Sequence, residues 1–356
     1  MAEKGYFSVF LAINAAFILL INNKGVNMNN LKKVGLSALA GSLVAVSANA
    51  VELGVTGTAE VTYTTVGGST ANTGNPFGAN NSVKFSGSGD VGVGTASIVR
   101  TINDSNNGEW LSAYMTLDMG AMGTLSLDSV GGDLEGLGPN DDKLPTAYEE
   151  VWTGVSSSGI SGAASNDTLG YSNSFAGVTL SLARQGGGSA NTSDGGADGS
   201  GNTQQISDYH LTAAVPYVEG LTLMYGKSTV DFAKAGENDD VYHNGHILYS
   251  TGPVSLGYRM GTYEDGTDNS NSHEMEAYSI AFNVNDELSI SYATQDKLFD
   301  TPATTTDNVT ETSDAVNASY TMGAMTLRGT LGESDNAGGV KEVTDEHMEL
   351  SMVLAF

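Results

Sequence analysis

The 356-residue chain contains no cysteine, which excludes a disulfide framework, a thiolate metal site and a cysteine nucleophile. Bases are scarce: 14 Lys and Arg stand against 41 Asp and Glu, for a formal charge of −27. A nucleic-acid partner would need the opposite sign, so none is expected. Proline is rare, at 6 residues against 46 glycines, which favours turns and closely packed strands over long helices. Beyond residue 50 no apolar run approaches the 18 or so residues of a membrane-spanning helix. Catalytic signatures are missing as well. There is no Gly-rich phosphate loop followed by lysine and no HExxH. Ser156-Ser157-Ser158 lacks the flanking glycines of a nucleophile elbow. The adjacent pair Glu149-Glu150 does not have the separation of a glycosidase pair. No enzyme activity is expected.

The N-terminus reads as a targeting segment. Met28 opens a start with Lys32 and Lys33, a weakly apolar run from Val34 to Val46, and then Ala48-Asn49-Ala50. This is the charged region, apolar region and small-x-small site of a bacterial signal peptide. Residues 28–50 are therefore the expected leader, with cleavage between Ala50 and Val51. Residues 1–27 read as an upstream extension from a misassigned start, and 51–356 as the mature domain. Residues 1–50 hold four lysines and one glutamate, so without them the formal charge is −30.

The mature region alternates apolar and polar residues in segments of about ten. In 253–263 Val254, Leu256, Tyr258 and Met260 share one parity, opposite Ser255, Gly257 and Arg259. In 344–356 the apolar set is Met348, Leu350, Met352, Leu354 and Phe356. Side chains alternate faces along a strand, so each segment has one greasy and one wet side. The pattern predicts strands near 51–66, 82–91, 93–103, 110–118, 122–129, 167–175, 177–186, 205–215, 220–229, 242–251, 253–263, 274–284, 287–296, 312–322, 324–333 and 344–356. The gaps alternate between turns of two to five residues and long polar, Gly/Asp/Asn-rich loops. Sixteen strands with turns at one end and loops at the other predict an all-β fold, a transmembrane antiparallel barrel. A closed barrel is the β-form that satisfies every backbone group in lipid.

One stretch, 131–166, breaks the alternation. It carries Asp133, Glu135, Asp141, Asp142, Glu149 and Glu150 against the single base Lys143, with Pro139 and Pro145 interrupting any strand. A loop of this length in a compact domain is functional or disordered. The expectation is that it folds into the barrel and narrows it, its acids lining the constriction.

With these features the chain resembles a general, trimeric, 16-stranded porin of the Gram-negative outer membrane, of alphaproteobacterial type. The resemblance rests on the leader Met28-Asn29-Asn30-Leu31-Lys32-Lys33, the opening strand Val51-Glu52-Leu53-Gly54-Val55-Thr56-Gly57 and the ending Met352-Val353-Leu354-Ala355-Phe356. It implies a third loop folded inward, a homotrimer, and a terminal Phe356 read by the barrel-assembly machinery. It also implies an outer-membrane setting among lipid and lipopolysaccharide, and wall bases facing the loop acids. Parity turns Lys84, Arg259 and Arg328 into the lumen, and by the resemblance Lys84 and Arg328 face the loop. Arg100 and Arg184 fall on the apolar parity.

The function expected is passive diffusion of small hydrophilic solutes and ions, with a preference for cations. Alternatives are a substrate-specific porin with a binding track, or a barrel serving as a surface adhesin or anchor. No cofactor is expected beyond Ca2+, for which Asp141-Asp142 and Asn238-Asp239-Asp240 offer oxygen ligands without EF-hand spacing. His243 and His246 lack an acid placed to complete a metal site.

Overall fold

The computed structural model describes residues 52–69, 74–104, 110–130, 134–155, 158–164, 167–186, 204–232, 238–266, 272–300 and 308–356. The leader, the cleavage site at Ala50 and Val51, and Asp133 lie outside them.

Sixteen strands form one closed antiparallel barrel, each paired with its neighbours in sequence. They are β1 (Glu52–Gly68), β2 (Phe77–Asp90), β3 (Thr95–Asn103), β4 (Trp110–Asp118), β5 (Thr124–Val130), β6 (Thr168–Phe175), β7 (Val178–Gln185) and β8 (Gln204–Ala214). They continue with β9 (Leu221–Phe232), β10 (Asp240–Thr251), β11 (Val254–Glu264), β12 (His273–Asn283), β13 (Leu288–Phe299), β14 (Val309–Met322), β15 (Met325–Asp335) and β16 (Thr344–Ala355). Turns of two residues join β6 to β7, β10 to β11 and β14 to β15. Glycine serves the tightest of them: Gly252 and Gly323 take φ of +53° and +60°, a region that costs other residues dearly. One turn departs from expectation. The β8–β9 connection spans 215–220 and carries Tyr217 fully exposed at φ +69°. Pro216 lacks the N–H that a continued ladder would need, which opens this turn to six residues.

The ends of the chain close the barrel. Ala59 pairs with Leu354 and Tyr63 with Leu350. The Gly57 N–H donates to the Phe356 carbonyl at 2.7 Å, and the Phe356 N–H donates back at 3.0 Å. A Cβ on Gly57 would lie 2.8 Å from the Phe356 ring, so the terminal aromatic lies on a glycine.

The faces are sorted inversely to a soluble domain. Val55, Phe85, Ile98, Leu169, Ile247, Tyr278, Leu331 and Leu350 are exposed on the outside. The buried side chains are mostly polar or charged and point inward, among them Asp128, His210, Asn244, Arg259, Gln295, Glu311 and Asn317. Apolar groups facing outward cost free energy in water and none in hydrocarbon, which is the economy of a lipid-facing barrel.

Candidate functional site: the inward loop

Between β5 and β6 the chain turns into the barrel and lies against the inner wall as two limbs. The outgoing limb starts at Glu135, which accepts hydrogen bonds from Ser172 of β6 (2.8 Å) and Ser181 of β7 (2.6 Å). It passes β10, where the Lys143 N–H donates to His246 Nε2 at 3.3 Å and Asn244 donates to the Asp141 carbonyl at 2.7 Å. It reaches β13 and β14 through Ala147 N–H to Ser291 (2.8 Å) and a reciprocal pair between Glu149 and Asn317 (3.2 and 3.0 Å). The apex packs at β16, where the α-carbon of Gly154 (φ +76°) abuts the His347 ring: a Cβ there would lie 2.0 Å from Nδ1. The return limb runs back through Ser158 at Lys297 of β13, Ile160 at Arg259 of β11 and Ala163 at Ser228 of β9.

Most of these wall contacts bind loop backbone. A segment without secondary structure must pair its N–H and C=O groups somewhere, and here Ser and Asn side chains on the inward parity do so. The Gly/Ser/Thr/Asn face of the strands is thus a docking surface. The wall side chains that the loop's hydrogen bonds reach stand on β6 to β16. On the opposite side, Thr56, Thr58 and Lys84 of β1 and β2 are exposed on the inward face.

The loop acids fall into two groups. Glu135 is engaged by the wall serines. Asp141, Asp142, Glu149 and Glu150 gather along the outgoing limb and apex. Burial pushes the Asp142 carboxyl up to about 6, with Glu150 adding to the rise and Arg259 opposing it. Burial also raises Asp141 and Glu149 above the usual carboxylate range. Thr153 donates to Glu150 at 3.2 Å.

The wall bases are not distributed as the resemblance implied. Arg259 is the one that faces a loop acid. It is wholly buried, lies 3.9 Å from Asp142, donates from Nη2 to the Ile160 carbonyl at 2.7 Å and from Nε to Asn244 at 3.2 Å. Its guanidinium carbon sits 4.9 Å from the Trp152 ring centroid. Arg328 instead pairs with Glu60 of β1 at 2.6 Å and stacks 4.3 Å from the Tyr148 ring of the loop. Closure of the barrel sets β1 beside β16 and one strand beyond β15, so the carboxylate that Arg328 reaches is a wall residue. Lys84 stands on β2, away from the limbs, and forms no ion pair among the described residues. Arg100 and Arg184 lie with the outward set: Arg100 folds onto the Val99 and Tyr114 carbonyls, and Arg184 donates to Ser207 and Gln205.

Sequence reasoning missed Lys297, whose Nζ holds the Ser158 carbonyl and hydroxyl at 3.2 and 3.1 Å. Its inward parity in β13, between Gln295 and Phe299, was available as a signal. Tyr148 was also missed. It carries no charge, and nothing in a loop's sequence gives the direction of a side chain. His243 and His246 point to opposite faces of β10. His243 bonds to Tyr225 on the outside, and His246 bonds to the loop. Among the described residues no group of three or more His, Asp or Glu side chains is arranged to hold a metal ion. Asp240 uses its carboxylate for the Gly266 N–H and the Tyr263 hydroxyl.

No family model matches the sequence, and no curated protein matches it. Solved structures do. OmpF of Salmonella typhi, in a complex with daunomycin, superposes with a TM-score of 0.63 at 13% identity, over 85% of this chain and 97% of that one. The anion-selective porin from Comamonas acidovorans gives 0.61 at 14% identity, over 86% and 100%. A double-tryptophan variant of the Rh. blastica porin gives 0.55 at 12%, over 86% and 100%. The fold is the sixteen-stranded porin barrel. At these identities the likeness is one of architecture, and the charges on the inward loop are this chain's own.

Proposed function

We propose that the protein is an outer-membrane diffusion channel for small hydrophilic solutes and ions, narrowed by its acidic third loop and preferring cations. The observation that carries this reading is the loop laid along the inner wall of a closed barrel whose outer face is apolar. Such a loop leaves a passage between its free edge and the wall of β1 to β5. Asp142, Glu149 and Glu150 are carried by the loop, and Lys84 stands on the β2 wall. In a narrow low-dielectric passage fixed charges act strongly on a permeating ion. The chain's −30 outside its leader has the same sign.

The functional unit we propose is a homotrimer, embedded in outer-membrane lipid and lipopolysaccharide and inserted by the barrel-assembly machinery through the exposed Phe356. Contact would run through β1 to β5 and β16, where Gly57, Ala59, Gly87, Gly89 and Ala96 replace the outward aromatics found on β6 to β15. Small side chains let backbones approach closely where apolar surfaces gain nothing from leaving lipid.

The deciding experiment is the reversal potential across a planar bilayer in a KCl gradient. Cation preference is expected, weakened when Asp141, Asp142, Glu149 and Glu150 become Asn or Gln. An anion preference, or no response to that change, overturns the selectivity. A protein that passes no current overturns the channel.

A further inference from the structure

We propose that Tyr148 sets the width of the constriction, with Arg328 acting as its platform on the wall. This rests on the channel reading above and assigns the positioning residue of that same site. The loop's hydrogen bonds fix where its backbone runs along β6 to β14, and Gly154 seats the apex against His347 of β16. Neither crosses the seam where the wall passes from β16 into β1. Tyr148 is the loop side chain that reaches this seam.

Its ring lies 4.3 Å from the Arg328 guanidinium carbon, and its hydroxyl donates to Glu349 Oε1. The other Glu349 oxygen accepts from the Thr64 hydroxyl of β1 at 3.1 Å. Arg328 is held beneath the ring by Glu60 at 2.6 Å and Ser351 at 3.3 Å, and Ser351 donates to Glu60 at 2.5 Å. The knot therefore ties the loop to three neighbouring strands, β15, β16 and β1. A planar cation already paired with a carboxylate is a flat, neutralised surface, and an aromatic face stacks on it. The pairing with Glu60 also removes Arg328 from the charges a permeating ion meets. Arg328 acts through Tyr148 and not as a wall charge.

Four proteins in planar bilayers and in liposomes swelling in neutral sugars of rising size test this. Tyr148→Ala removes both stack and hydroxyl. It is expected to raise unit conductance about twofold and to admit larger sugars, since width governs sieving. Tyr148→Phe keeps the stack and should sieve like wild type. Arg328→Lys keeps the charge but loses the planar face. It should shift toward Tyr148→Ala in sieving while leaving the KCl-gradient reversal potential unchanged. Wild-type conductance and sieving in both Tyr148→Ala and Arg328→Lys overturn the proposal. So does an Arg328→Lys protein that changes reversal potential alone, for that is the behaviour of a wall charge. Should Tyr148→Ala fail to assemble, Arg328→Lys decides. A wild-type protein without conductance refutes the channel reading instead, and is recognised before any variant is measured.

Discussion

Replacing Arg259 by alanine should release the return limb of the loop while leaving the barrel closed. Arg259 is wholly buried and meets four loop groups: the Ile160 carbonyl, the Asp142 carboxylate, the Trp152 ring and the backbone of Gly159, where a Cβ would come within 3.0 Å of Nη1. A hydrogen bond from a charged donor contributes about 2 kcal/mol, and a partly desolvated cation–π contact about 1 kcal/mol. Truncation also leaves Asp142 and Glu150 without their counter-charge, and breaking a buried pair by removing one partner costs about 3–5 kcal/mol in all. That loss is local, because the ladders of β10, β11 and β12 pair without the side chain. Limited proteolysis in proteoliposomes, with conductance noise read in parallel, measures it: cleavage within 150–164 should rise by two orders of magnitude or more, in line with about 3 kcal/mol, and the current should flicker. Adding Asp142→Asn to Arg259→Ala should recover part of the loss, since it removes the stranded charge. If the Arg259→Ala loop stays as protected as wild type and the current as quiet, Arg259 does not hold the limb and the account of its burial fails.

Acidification should weaken cation preference between about pH 7 and pH 5, because the Asp142 carboxyl, raised by burial to about 6, becomes neutral there. The folded state binds that proton more readily than an unfolded chain does, so the same group's effect on stability runs the other way: docking of the loop is firmest below about pH 4 and weakens as pH rises through 6. Reversal potentials across the range check the first, and loop protection from protease the second. Gly154→Ala should dislodge the apex, since the new Cβ would overlap His347 and L-residues rarely adopt φ +76°. A cost of at least about 1–3 kcal/mol of local docking would appear as faster labelling of a cysteine introduced at Glu149. Gly87→Trp should dissociate the proposed trimer on an unheated detergent gel with the barrel intact, while Ala281→Trp on the inward face should not.

The barrel was legible because its grammar is repeated sixteen times. A period-2 alternation in one strand is ambiguous between a soluble sheet and a lipid-facing one, but a strict alternation of short and long gaps is not. Strand boundaries erred where a polar segment continued the ladder. β2 begins at Phe77 rather than near 82, since Asn80 and Asn81 pair with Glu60 and Ala59 as readily as apolar residues would. β14 begins at Val309 for a similar reason, with Thr310 and Glu311 paired to Leu298 and Lys297. Hydrogen-bond ladders are indifferent to side-chain polarity once registry is set, and period-2 reading registers only the polarity.

The charges of the site were legible by face but not by level or partner. Parity turned Arg259 and Arg328 inward alike. The structure then separates them by where the loop lies and by which strand closes beside them. Arg259 is under the return limb, and Arg328 is two strands from Glu60 across a seam that joins residues 268 positions apart in sequence. A base on an inward face meets whichever carboxylate the closed ring delivers first. For Arg328 that carboxylate belongs to β1, so the loop tip meets it as a surface for an aromatic ring. The acids of Asp142, Glu149 and Glu150 then have no base on the β15–β16 wall to balance them. Lys297 is held by Ser158 and Lys143 belongs to the loop itself, so a field across the passage would come from Arg259 behind the loop and Lys84 in front of it. These two bases stand on opposite sides of the same acids and oppose each other, so the loop should act on a permeating ion more as a local negative potential than as a transverse field. Selectivity by sign then follows from the loop alone, and Lys84→Gln should sharpen cation preference without altering the size of solute admitted.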